Sequence, residues 1–156
     1  MSSCRWLAMV SALVAAACFP AARRSVPEVS AAPGAAAMDS AELTVRSFVA
    51  AYNSHDVQAM LALADSGIAW LSVMGDSVAI ETRGRAELEA SLSAYFRRLP
   101  STRSTLEALT ATGPWVTVRE RAHWQGRDGP RSQAAVAVYE VREGRVRRVW
   151  YFPAVP

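Results

Sequence analysis

Residues 132–152 read SQAAVAVYEVREGRVRRVWYF. Two runs of alternating apolar character, Ser132 to Val141 and Arg145 to Phe152, meet at Glu143-Gly144, a tight turn between strands. Working back from this hairpin, Trp115 to Gln125 stops at Gly126 to Pro130, and Thr105 to Thr112 stops at Gly113-Pro114. Four consecutive strands joined by turns this short pair antiparallel, because parallel neighbours need a long crossover. The C-terminal third is therefore a meander.

Upstream the period changes from two to 3.6. Asp39 is placed to cap a helix, with Glu42 three residues on. Val45, Phe48, Val49 and Tyr52 then fall on one face at i, i+3, i+4 and i+7. Asn53-Ser54-His55 ends that helix, and Asp56 caps a short second one carrying Val57, Met60, Leu61 and Ala64. Gly67 to Met74 and Ser77 to Thr82 read as strands around Gly75-Asp76. A third helix, from about Arg85 to Leu99, aligns Leu88, Leu92, Tyr95, Phe96 and Leu99 before Pro100 stops it. Helices followed by a meander predict an α+β layer: three N-terminal helices packed on one face of a curved antiparallel sheet.

The 156 residues suffice for one domain. Residues 1–18 read as a secretory signal peptide: one charge, Arg5, precedes the apolar run Trp6 to Ala17, which is too short for a comfortable membrane span. Val14-Ala15-Ala16-Ala17-Cys18 has the form of a bacterial lipobox, which makes Cys18 the expected lipidation site. Residues 19–38, rich in Ala, Pro and Ser, read as a tether, and 39–156 as the folded domain. The expected location is the periplasm or, through a lipid anchor at Cys18, the membrane surface; a start at Met38 would instead leave the protein cytoplasmic. Cys4 and Cys18 are the only cysteines, so the rest of the chain can hold no disulfide or cysteine-ligated metal. All 17 basic residues are arginine, yet from Asp39 onward 14 arginines face 13 acids. A nearly neutral domain without a basic face excludes nucleic acid as the expected partner.

The order helix, helix, two strands, helix, four-stranded meander resembles the NTF2-like superfamily, which includes nuclear transport factor 2, ketosteroid isomerase and the SnoaL-like polyketide cyclases. The resemblance is carried by Ala51-Tyr52-Asn53-Ser54-His55-Asp56, by Gly84-Arg85 ahead of the third helix, and by the run Val138 to Trp150. It spans Asp39 to Pro156. It implies a cone with a pocket between helices and sheet, a homodimer formed through the outer sheet face, and no cofactor. One fold hosts unrelated functions, so it does not assign an activity. Ketosteroid isomerisation needs a carboxylate base and an oxyanion site of tyrosine and protonated aspartic acid. The family register places Ser72, Phe48 and Ala137 at those positions, which argues against that reaction.

Strand alternation along Trp115 to Trp124 puts Val116, Val118, Glu120, Ala122 and Trp124 on one face. Trp115, Thr117, Arg119, Arg121 and His123 share the other. The resemblance assigns the first face to the pocket, together with Gln133, Ala135 and Ala137, with Arg147, Val149 and Tyr151, and with Phe48, Trp70 and Ser72. Glu120 is the candidate catalytic or anchoring residue, since a carboxylate on an apolar face needs a partner or a task. It could act as acid or base, or hold a polar ligand group, beside Tyr151, Gln133 or Arg147. Alternatively it is structural, ion-paired with Arg147 or hydrogen-bonded to Tyr151. Arg119 and Arg121 read as a solvated or dimer-facing surface, Asp76 as a turn residue, and His55 and His123 as too isolated for a metal site. Three functions remain open: a binder of a small, mainly apolar molecule; a cofactor-independent SnoaL-like isomerase, cyclase, dehydratase or hydrolase using Glu120; and a dimerisation scaffold with a filled pocket.

Overall fold

The structure is a computed structural model that describes residues 33–155. The expected signal peptide, Cys18 and residues 19–32 of the expected tether lie outside the described residues. Helix α1 spans Pro33–Asn53, so it begins within the stretch expected to be a tether, and Asp39 is inside the helix rather than at its N-cap. The cause is local. Proline suits a first helical position, and Ala35-Ala36-Ala37 are the strongest helix formers, so nothing there stops the helix.

The turn after α1 is built from the residues that punctuate the sequence. His55 adopts a left-handed φ of 56°, and Asp56 then accepts the backbone N–H of Ala59 at 2.9 Å. That cap starts α2, Val57–Ala62. Strands β1, Ala64–Met74, and β2, Ser77–Arg83, form a hairpin. Helix α3, Gly84–Arg98, follows it, so only α1 and α2 precede the sheet in the chain. Glycine is required at its start, where φ is +78°, and the Glu87 carboxylate accepts the backbone N–H of Arg83 at 2.7 Å. The meander comprises β3, Arg103–Thr112; β4, Trp115–Gly126; β5, Gly129–Arg142; and β6, Arg145–Val155.

The six strands lie in the order β2-β1-β6-β5-β4-β3. The meander pairs antiparallel as expected, but β1 runs parallel to β6. The expectation of an antiparallel sheet is thus corrected to a mixed one. Tight turns set direction only between consecutive strands. Between β1 and β6 lie α3 and most of the meander, a connection long enough to permit a parallel pair. Register shifts at Trp70/Leu71, Leu106/Ala108 and Glu140/Val141 bend the sheet. The chain thus has an α+β fold with a curved mixed sheet, in the element order that the NTF2-like resemblance implies.

Candidate functional site

The inner face of the sheet divides in two. Helix α1 packs on β3 to β6, whereas α3 packs on β1 and β2. Under α1, Phe48 shares one core cluster with Val116, Val118, Ala137, Tyr139 and Val149, each at most 1% exposed. Toward α3 the same strands are left uncovered and form the floor of a cavity of about 470 Å³. Trp70, Ser72, Glu120, Gln133, Ala135 and Tyr151 line it.

The other predicted lining residues are corrected. Phe48, Val116, Val118, Ala137 and Val149 are core, because α1 fills their end of the face before a cavity can form. Arg147 is exposed. Val141 pairs with Val146 and Glu140 with Arg148, so Arg147 is the extra residue of a bulge. Buried positions Val146 and Val149 are therefore three apart, and the alternation that would aim Arg147 inward is broken. Tyr52, Glu81, Thr82, Ala122 and Trp124 complete the lining with Leu88, Ser91, Leu92, Tyr95 and Leu99. Their apolar stripe on α3 was legible in the sequence; what it faces was not.

Glu120 sits where core gives way to cavity and is 9% exposed. Ser104 Oγ donates to its Oε1. Tyr139 OH and Tyr151 OH donate to Oε2 at 2.9 and 2.7 Å. The expected bond to Tyr151 is present, and the alternative ion pair with Arg147 is not. Burial and the charge of Glu120 push the phenols of Tyr139 and Tyr151 well above their ordinary range, which keeps both as neutral donors. Three donors use three of roughly four carboxylate acceptor positions, leaving one on Oε1.

Ser104 is held in turn by Asn53. The Asn53 side chain donates to Ser104 O at 2.8 Å and accepts from Ser104 N at 2.6 Å. Strand β3 is a sheet edge, so this amide supplies the rung that no neighbouring strand provides. On the α1–α3 wall, Tyr52 OH lies 3.0 Å from Thr102 Oγ1 and 3.4 Å from Tyr95 OH, and burial raises the Tyr52 phenol too. Thr82 Oγ1, also on the lining, is buried without a hydrogen-bond partner among the described residues.

The remaining candidates fall outside the cavity. His55 stacks on Phe96 with centroids 4.3 Å apart, and its Nε2 lies 2.9 Å from Thr102 O and 2.7 Å from Arg103 Nη1, which makes it a brace. Arg119 and Arg121 pair with Glu107, and that pairing lowers the Glu107 carboxyl below its ordinary range. No cluster of metal-ligating side chains occurs among the described residues.

Residues 45–149 match the SnoaL-like domain. The chain belongs to this family. Solved structures similar to this SnoaL-like domain include Bal32a from a soil-derived mobile gene cassette, at 19% identity and TM-score 0.64 over 74% of this chain and 89% of that one. A candidate ketosteroid isomerase from Kribbella flavida is 20% identical, with TM-score 0.60 over 76% and 80% of the two chains. An epoxide hydrolase of the LEH-like kind from M. tuberculosis is 18% identical, with TM-score 0.60 over 74% and 83%. No curated protein matches the chain. At these identities the likeness shows the fold alone. Within this SnoaL-like domain, Phe48 and Ala137 are core and Ser72 is on the cavity wall.

Proposed function

We propose that the protein holds a small, mainly apolar molecule in the cavity between α3 and the sheet, with Glu120 fixing the orientation of its polar end. The observation that carries this reading is a nearly buried carboxylate, braced by three donors and facing an aromatic-walled space of about 470 Å³. Export through residues 1–18, with acylation of Cys18, fits a cone that presents its cavity outside the cytoplasm. A homodimer through the outer sheet face would cover Trp115 and Phe152, each 39% exposed.

A second reading, cofactor-independent acid–base chemistry, is favoured by the open acceptor position on Glu120 Oε1, which could take a substrate proton. Native and denaturing mass spectra of the full-length chain from a lipoprotein-processing host test the first reading. It expects a discrete small adduct on the native species that is lost on denaturation. A clean native mass that stays clean when cell extract is added would overturn it. If turnover of the adduct is found, Glu120→Gln should lower kcat by orders of magnitude while the guest stays bound.

A further inference from the structure

The walls of the cavity carry an unbalanced charge. Among the described residues no arginine lines it, in a chain with 17, and the charged lining residues are Glu81 and Glu120. The protein shows elsewhere how it neutralises a buried carboxylate. Glu140, 3% exposed, pairs with Arg142 at 3.1 Å and Arg148 at 3.0 Å. Glu120 takes part in no ion pair among the described residues; its partners are three neutral hydroxyls. A buried carboxylate without a counter-ion is costly, and the cost falls when a cation arrives.

Three further features point the same way. The walls are aromatic: Trp70 stacks on Tyr151 at 5.3 Å and 11°, and Tyr52, Tyr95 and Trp124 continue the lining. Ring faces attract cations that have shed their water. Thr82, 7% exposed, lines the same space, and its buried Oγ1 has no hydrogen-bond partner among the described residues. Thr82 pairs with Trp70 and Ile80 with Leu71, which makes Glu81 a bulge residue. The bulge brings the exposed Glu81 to the cavity beside the inward Thr82.

We infer that the guest is an organic cation, an amine or quaternary ammonium on an apolar body, seated with its charge toward Glu120 and its body among the aromatic walls. This rests on the cavity reading above. An anion would meet two carboxylates. A neutral guest would leave Glu120 without a counter-ion.

The test titrates the full-length protein with benzyltrimethylammonium and with neopentylbenzene, which replaces the charged nitrogen by carbon, following the emission of Trp70 and Trp124. Phenylacetate serves as the anion. The cation should bind at least about tenfold more tightly than its neutral isostere, and phenylacetate should not bind. Glu120→Gln should bring cation and isostere within about threefold of each other. Glu81→Gln, at an exposed position that leaves folding intact, should weaken the cation by about twofold and leave the isostere unchanged. Equal binding of cation and isostere overturns the cation inference and leaves the cavity reading standing. Binding by neither overturns both. A cation preference that survives Glu120→Gln in a protein that melts like the wild type also overturns the inference.

Discussion

Replacing Asn53 by Ala removes one side chain and orphans two backbone groups. Ser104 is 6% exposed, and its N–H and C=O toward the open edge of β3 are both met by the Asn53 amide, at 2.6 and 2.8 Å. A buried polar group that loses its partner costs about 1–3 kcal/mol. Asn53 itself is only half-buried, so water reaches part of the gap, and the pair should cost about 2–4 kcal/mol together. A domain of this size changes by about 0.25 kcal/mol per degree at its midpoint, so Tm should fall by about 8–16 °C. Asn53→Asp keeps the acceptor for Ser104 N–H but sets its second carboxylate oxygen against Ser104 O, so at neutral pH it should recover little of the loss. Circular dichroism melts read both. Because Ser104 Oγ donates to Glu120, Asn53→Ala and Ser104→Ala should be less than additive in a double-mutant cycle. A Tm drop under about 3 °C for Asn53→Ala, or strict additivity, would refute the chain of support from α1 through the sheet edge to Glu120.

Other consequences follow from the same geometry. The phenols of Tyr52, Tyr139 and Tyr151 are raised first by burial and also by the charge of Glu120. The folded state therefore holds these protons more tightly than the unfolded chain. The stability they contribute is present below about pH 10 and lost as pH rises further. Absorbance at 295 nm should show these tyrosinates appearing together with alkaline unfolding rather than before it. Phe48→Ala, in the packed half of the inner face, should destabilise by about 3–5 kcal/mol in urea titrations. Arg147→Ala should leave both Tm, within about 2 °C, and guest binding unchanged, since the bulge turns that residue away from the cavity.

The meander and the helical stripes were legible because each rests on a short-range period. Val45, Phe48 and Val49 point inward for the reason that they recur at helical spacing, and Val116, Val118 and Glu120 for the reason that they alternate. What local pattern cannot carry is where a helix lands. The same alternating face becomes core at Val118 and cavity at Ala122 only because α1 covers the first and α3 stands off from the second. A single inserted residue was equally hidden. Val146-Arg147-Arg148-Val149 reads as a continuous strand, yet its bulge moves Arg147 from the pocket to solvent, and a one-residue slip of this kind reverses every side chain beyond it. The parallel pairing of β1 with β6 is a contact between distant segments, for which no turn residue speaks. In the sequence Asn53 reads as a helix terminator within the family motif; its service to Ser104 depends on the edge of β3 lying beside it.

The proposed binding role requires that the space above Ala135 be kept open for a guest. N-phenyl-1-naphthylamine, uncharged at neutral pH and emissive in apolar surroundings, probes it directly when titrated into the wild type and into Ala135→Trp, whose indole would occupy that space. Saturable one-to-one binding to the wild type, reduced at least about tenfold in a variant whose Tm is retained, is the predicted result. Equal binding by the two proteins, or no saturable binding to the wild type, would contradict it.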